Sequence, residues 1–401
     1  MSAKNGADRS VWRGRATRAE IDLGAVAGNV IALLSVLPHN TGLVAVVKAN
    51  AYGHGAKEVA RAAVGAGAVG LAVATVGEGR ALRKDGIDAP ILVLGAIDLA
   101  EASAAIDHDL DLTVGTEDLL VAIQAEARRR ASNLHGPISI HVKVDTGLRR
   151  YGAEPGLALS LARRIDGDPS LALAGVFTHF ASADEEDDGG FTDEQAGVLK
   201  RFMSSLSEEG IRPQSWHLAN SAGTLNGWAE GSGFVRIGIA LYGVAPSSAV
   251  RLAPGMRPVM TLRSRIARVF DLDHGDTVGY GRTYRCASPE RAALVPLGYG
   301  DGYRRALSDT GWMGISGDRA DVMGRVSMDQ TVVRLPKGSV AEVGEEVTVM
   351  GGLPEEAAPT AEETASLCGT IPYEIFTGIA TRVPRLFLRN GDLVSFDDGL
   401  R

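Results

Sequence analysis

Between residues 43 and 243, short apolar runs alternate with stretches whose apolar residues recur at helical spacing. The runs are LVAVVKAN (43–50), AVGLAVAT (68–75), ILVLGA (91–96), LDLTVG (110–115), ISIHVKVD (138–145), LALAGVFTH (171–179), SWHLAN (215–220) and FVRIGIALYG (234–243). They are near-continuously apolar, as strands buried on both faces of a parallel sheet must be. Glu58–Val64, Gly77–Lys84, Glu117–Arg130 and Asp193–Glu208 have helical composition and lie between them. Eight such strands in about 200 residues predict a closed (β/α)8 barrel of the TIM type. An open doubly wound sheet is the alternative. No GxGxxG follows the first run to mark a dinucleotide site.

After Gly243 the pattern changes. MTLRSRIARVF, TVGYG, AALVPLG, ADVMGRVSM, QTVVRLP, EEVTVMG and DLVSF are shorter and closer to period two, with HGD, SGD, VGEE and NGD turns between them. This predicts a mainly β domain. Ala361–Leu367 reads as one short helix and LPEEAAPTAEE as an exposed acidic loop. The expected organisation is a polar N-terminal tail over 1–15, a barrel over 16–248 and a mainly β C-terminal domain over 249–401.

Composition adds limits. The chain has 401 residues, 45% hydrophobic and 22% charged, which is ordinary for a globular protein with a large core. A net charge of -8 gives no support to a nucleic-acid partner. Cys286 and Cys368 form no CxxC motif, which fits a reducing compartment. MSAKNGADRSVWRGR lacks the apolar core of a signal peptide, and no window is long enough to span a membrane. The expectation is a cytoplasmic protein with no membrane partner.

Chemistry in such a barrel gathers where the strands end. The first strand ends in Lys48, Asn50 and Tyr52; the fifth in Lys143, Asp145 and then Arg150; the sixth in His179. The seventh holds His217 and ends in Asn220 and Ser221, and the eighth carries Arg236 before Gly238 and Ile239. Each residue has a plain structural reading. Lys48 can be a strand end in water, His179 a core histidine, Arg236 a buried ion-pair partner and Ser221 a helix N-cap. Together they crowd costly polar groups at one mouth. Backbone N–H groups beside a serine and a glycine suit a phosphate, and a lysine opposite them points to pyridoxal phosphate. No metal is expected, since HxxxH spacing is absent and the acidic run Asp184–Asp188 lies in a loop without histidines.

VVKANAYGHG (46–55) resembles the cofactor-lysine signature of alanine racemases, in the fold-type III pyridoxal-phosphate family. The resemblance continues through KVDTGLRRYG (143–152), VFTHFASADE (176–185), HLANSAGTL (217–225), VRIGIALYG (235–243), VGYGRTY (278–284), PLGYGDGYRR (296–305), GRVSMDQ (324–330), IPYEI (371–375) and TRVPR (381–385). It runs in order from Ala16 to Leu393. It implies a barrel followed by a β domain, and interconversion of L- and D-alanine that supplies peptidoglycan. It implies Lys48 as the lysine that carries the cofactor and serves one face of the substrate. Tyr280, from the neighbouring subunit of a homodimer, is implied as the base on the other face. Arg236 resembles the arginine at the pyridine nitrogen, supported by His217. Tyr52, Asn220, Ser221, Gly238, Ile239 and Tyr373 resemble the cofactor and phosphate cradle. Arg150 resembles a residue beside the cofactor and the substrate carboxylate, and His179 the partner of the tyrosine base. Met328 and Asp329, again from the partner, resemble substrate-binding residues, and Tyr299 a tyrosine of the substrate passage. Lys143 matches a lysine that is carbamylated in some members and then holds Arg150.

The chain departs from the pattern at Leu148 and Arg149, where many members have Met and Gly or His, and at Ser327, where some have Cys. Lysine and tyrosine both titrate near 10, so burial and nearby cations must bring them closer to neutrality. The alternatives are a racemase of serine, lysine or broad specificity, a barrel-type decarboxylase, or a non-catalytic pyridoxal-phosphate-binding protein. Decarboxylases of this kind use a cysteine where this chain has Ser327, Met328 and Asp329. Non-catalytic relatives lack the β domain that carries Tyr280.

Overall fold

The computed structural model describes residues 12–130 and 136–399. Of the tail expected over 1–15, residues 1–11 lie outside the described part. The chain divides into two compact units. One holds Ala27–Ala51 and Val59–Met256; the other holds the described residues up to Val26, Tyr52–Glu58 and the chain from Arg257 onward.

The chain's first strand, β1 (Arg18–Asp22), belongs to the second of these units. The other unit is built on eight parallel strands: β2 (Gly42–Val46), β3 (Gly70–Val73), β4 (Ile91–Val93), β5 (Asp111–Val114), β6 (Ile138–Lys143), β7 (Leu171–Phe177), β8 (Ser215–His217) and β9 (Phe234–Ile237). Each expected run overlaps one of them. They pair in the order β8-β7-β6-β5-β4-β3-β2-β9. Gly233 N–H to Trp216 O and Arg236 N–H to Ala219 O, both 3.0 Å, then carry β9 across to the β8 segment. The sheet therefore closes into the expected barrel rather than opening as a doubly wound sheet.

Local signals set the covering helices. Thr75 and Glu78 form a reciprocal capping box at the start of helix Val76–Lys84. Thr116 caps Glu117–Arg129, which begins with Glu117 and Asp118 and ends with Arg128 and Arg129. That basic cluster thus answers the helix dipole, while Leu119, Leu120, Ile123 and Ala127 face the core. Among the described residues no helix is long and apolar enough to cross a membrane.

The other unit is mainly β. Its strands are β10 (Met260–Arg265), β11 (Arg268–Leu272), β12 (Thr277–Val278), β13 (Tyr284–Arg285), β14 (Glu290–Val295), β15 (Trp312–Ile315), β16 (Asp318–Asp321), β17 (Thr331–Arg334), β18 (Glu346–Met350), β19 (Arg385–Arg389) and β20 (Asp392–Asp397). The largest sheet is seven-stranded, in the order β16-β15-β18-β10-β1-β19-β20. Here the expected domain boundary is corrected. Residues 16–22, expected to open the barrel, instead run antiparallel to β10 and parallel to β19. The reason is charge. Arg18 and Glu20 are buried at 3% and 4% exposure and must be paired. Arg18 meets Glu20 at 2.8 Å and Glu346 at 2.6 Å, while Arg263 of β10 meets Glu20 at 2.9 Å. Glu356, expected in an exposed loop, joins this network through Arg263 at 3.0 Å. Ala361–Leu367 is the expected helix.

Candidate active site

The barrel strands place Lys48, Lys143, Arg150, His179, His217, Asn220, Ser221, Arg236, Gly238 and Ile239 at or just beyond their carboxyl ends. Past Lys48 the backbone does something rare. Ala49, Asn50, Ala51 and Tyr52 all have φ between 51° and 54°, one turn of left-handed helix. For L-residues that conformation costs roughly 1–2 kcal/mol each. Such strain persists only where the surroundings over-determine it. Glu78 is part of that constraint: its carboxylate accepts from Ala49 N–H at 2.6 Å, Ala74 N–H at 2.8 Å and Thr75 N–H at 3.2 Å. Sequence reasoning missed this residue, although the TVGE capping box carried its signal. Glu78→Ala is expected to cost about 2 kcal/mol in a urea titration and at least about tenfold in turnover. An unchanged midpoint would show that the turn stands without the clamp.

Lys48 is half-buried, and burial, then Arg150, lower its pKa against the raising effect of Glu78. Lys143 is 6% exposed and pushed down to about 8, first by burial, then by Arg236, Arg150 and Lys48. Its Nζ lies 5.4 Å from the ring centroids of both Tyr151 and Phe177. Among the described residues no carboxylate pairs with it.

Arg236 is 2% exposed, and burial pushes its guanidinium down to about 9. It remains a cation at neutral pH, with donors only. Nη1 donates to His217 Nδ1 at 2.6 Å, and Nη2 donates to Thr178 O at 2.8 Å and Leu218 O at 3.0 Å, with His179 Nδ1 at 3.4 Å. Among the described residues its Nε–H has no acceptor. Burial, then Arg236, hold both His179 and His217 well below the usual histidine range, so both are neutral.

Asn220, not Ser221, is the N-cap, its side chain accepting from Gly223 N–H at 2.9 Å. That corrects the capping role considered for Ser221. The Ser221 hydroxyl instead accepts from Gly238 N–H at 2.9 Å. Among the described residues Ile239 N–H is left without an acceptor. Arg149, where the sequence departs from its resemblance, has φ 55°, a conformation that glycine adopts more cheaply.

The remaining candidates lie in the β unit. The rings of Tyr52 and Tyr373 pack at 5.8 Å. Tyr280 is 72% exposed, Met328 53% and Tyr299 43%. Tyr299 N–H donates to Ser327 O at 3.0 Å and Gly300 N–H to Met328 O at 2.8 Å, which ties two motifs together. Arg382 bridges Asp329 and the buried Asp301, each at 2.7 Å. Asp301 was also missed, though GYGDGY contained it. Among the described residues no group of three or more His, Cys, Asp or Glu side chains could hold a metal ion.

The chain matches the family model described as Alanine racemase, N-terminal domain over residues 21–246, and that described as Alanine racemase, C-terminal domain over 259–387. An alanine racemase of Geobacillus kaustophilus (strain HTA426) is 41% identical over 382 residues, 94% of this chain and 95% of its own. The chain belongs to the alanine racemase family. Its members are isomerases. The alanine racemase of Clostridium difficile 630 superposes with a TM-score of 0.90 at 34% identity, covering 97% of this chain and 100% of its own. The alanine racemase of Bacillus anthracis, solved with bound L-Ala-P, gives 0.87 at 37% identity, covering 96% and 98%. Both the barrel and the β unit are thus family architecture.

Proposed function

We propose that the protein interconverts L- and D-alanine with pyridoxal 5′-phosphate, using Lys48 and, from the neighbouring subunit of a homodimer, Tyr280. The observation that carries this reading is the buried Arg236, clamped by His217 and two carbonyls with its Nε–H left over. A guanidinium that stays charged at neutral pH suits the pyridine nitrogen, to which it donates a hydrogen bond without giving up its proton. The other groups fit the same cofactor. Ile239 N–H lacks an acceptor, and the Ser221 hydroxyl still has a proton to donate after accepting from Gly238. Both suit phosphate oxygens. Asn220 holds the turn that presents Ser221. Tyr52 and Tyr373 complete the cradle on the family reading.

Pyridoxal phosphate, when bound, supplies the electron sink that makes an amino acid's α-proton removable. The chain supplies the rest. Lys48 Nζ, its pKa lowered by burial and Arg150, takes or returns the α-proton on one face. Tyr280 Oη does so on the other. Arg150 and the partner's Met328 and Asp329 receive the substrate, His179 supports the tyrosine, and Tyr299 lines the passage.

Lys143 is read as the site of a carbamate. Its neutral Nζ attacks carbon dioxide, an N–C bond forms, one proton leaves, and the new anion faces Arg150. The uncarbamylated amine makes a prediction of its own. Its folded pKa of about 8 lies below the ordinary lysine value of 10.5, so the unfolded chain binds more protons between those limits. Stability therefore rises with pH across that window. In carbon-dioxide-free buffer Lys143→Met removes the rise and stabilises the neutral-pH protein by on the order of 1–3 kcal/mol. Equal pH slopes for the two proteins would refute it. With 13C-bicarbonate, a carbamate NMR signal present in wild type and absent in Lys143→Met supports the modification.

The substrate test is a chiral time course with pyridoxal phosphate and, separately, L-alanine, L-serine, L-lysine and L-glutamate. Rapid drift of L-alanine alone to an equal mixture supports alanine. Drift of another amino acid while alanine stays inert moves the substrate and keeps the chemistry. A cytoplasmic role in cell-wall supply predicts that a bacterium lacking its own racemase grows without D-alanine when it carries this chain.

A further inference from the structure

The barrel interior is ordinarily filled with branched apolar side chains. Here a line of polar side chains passes down it from Arg236. His217 lies between two rings, Phe177 at 4.6 Å and Phe234 at 4.1 Å, both near-parallel to it. Stacking leaves the imidazole only its two in-plane nitrogens for hydrogen bonding. Nδ1 faces Arg236, which can only donate. Nε2 must then carry the proton, and it lies 3.1 Å from His141 Nδ1. His141 is 4% exposed. Its Nδ1 accepts, so its own proton sits on Nε2, 3.9 Å from the Asp111 carboxylate at the start of β5. A carboxylate there favours that tautomer.

The strands make special room for His141. Along the β6–β7 pairing the register shifts between Ile140 and His141, skipping one residue of β7. Bulges are rare in parallel pairs and re-aim side chains. The shift sets Gly175 opposite His141, and a Cβ on Gly175 would meet His141 Nδ1 at 2.2 Å. Only glycine leaves the ring that slot.

We infer that His141 is a positioning residue for Arg236: with Asp111 behind it, it locks His217 in the Nε2–H tautomer, so that Nδ1 always accepts from the guanidinium. Loss of His141 removes the acceptor for His217 Nε2–H. The His217 proton is then free to move to Nδ1, where it opposes an arginine donor and displaces Arg236. The chain of tautomers stands on the protein's own residues. Its consequence for turnover rests on the reading that Arg236 meets the pyridine nitrogen.

The test uses holoenzyme with 15N-labelled histidine rings. His217→Phe assigns the His217 signals. Wild type is expected to show His217 neutral with its proton on Nε2, unchanged between about pH 6 and 9. His141→Leu is expected to lose that pattern, to shift the cofactor's absorption band and to lower kcat about tenfold with little change in KM. In His141→Asn the amide oxygen replaces Nδ1 as acceptor, and kcat stays within about threefold of wild type. In a His217→Phe background, Leu and His at 141 differ by less than about twofold, because the effect passes through His217. A proton on His217 Nδ1 in wild type overturns the inference without any variant. Equal losses in the Leu and Asn variants, or an undiminished loss in the His217→Phe background, reduce His141 to core packing and also overturn it. If the tautomer is as inferred but His217→Phe leaves the cofactor band unmoved, the chain stands and the placement of Arg236 at the pyridine nitrogen fails.

Discussion

Lys48→Ala is expected to abolish racemisation of L-alanine, a loss of at least about 10³-fold, because on the proposed reading one residue supplies both a covalent anchor and a base. The variant should also lose covalent attachment: after borohydride reduction and denaturation, cofactor stays with wild type and washes out of Lys48→Ala. The structure makes this a contest between two amines. Lys143 lies within electrostatic reach of Lys48, and burial pushes it down to about 8. By availability of the neutral form alone, Lys143 is a credible nucleophile. Geometry favours Lys48. Lys143 is 6% exposed, with its Nζ 5.4 Å from the ring centroids of both Tyr151 and Phe177. Lys48 is half-buried at the head of a left-handed turn that exposes Ala49 and Asn50. Peptide mapping after reduction is expected to find the label on Lys48. Label on Lys143, or retention of reducible cofactor in Lys48→Ala, would sink the assignment.

How far the sequence foretold this site follows from what a one-dimensional pattern can carry. The eight barrel strands are continuous apolar runs, so all eight were legible, and with them the ends where Lys48, Lys143, His179, His217 and Arg236 fall. β1 was not recognised as part of the β unit. Three of the five residues of RAEID are charged, and its burial depends on Arg263, Glu346 and Glu356, more than 240 positions away. β15 and β19 were missed because WMGI and RLFLR are short and carry no alternation. The plain structural reading of Ser221 as an N-cap fell one residue off, since NSAG allows either Asn220 or Ser221 to cap. His141 sits two residues before Lys143 on the same inward face of β6, a spacing visible in ISIHVK. What no spacing reveals is the register shift and the glycine slot that aim its ring at His217.

Tyr280→Phe is expected to keep the cofactor and its absorption band while kcat falls by about 10²–10⁴-fold, the range for loss of a positioned acid or base. Within its own chain Tyr280 is 72% exposed, at the tip of a short turn flanked by Gly279 and Gly281, both at φ 74°. A Cβ on either glycine would press on Arg325, at 3.1 and 3.0 Å, so the tyrosine is held out by a turn that only glycines allow. An exposed phenol has nothing to act on until another surface covers it. If that surface is the barrel mouth of a second copy, each site takes Lys48 from one subunit and Tyr280 from the other. Inactive Lys48→Ala and inactive Tyr280→Phe proteins then complement on mixing. Each mixed dimer carries both lesions in one site and neither in the other. Equal amounts, unfolded and refolded together, give half mixed dimers and so regain about a quarter of wild-type activity. A site completed within one chain gives no recovery at any ratio, since every site keeps one lesion. Recovery near a quarter therefore fixes both residues and the subunit boundary between them in one measurement, while absence of recovery with mixed dimers demonstrably present returns Tyr280 to the subunit that carries its own Lys48.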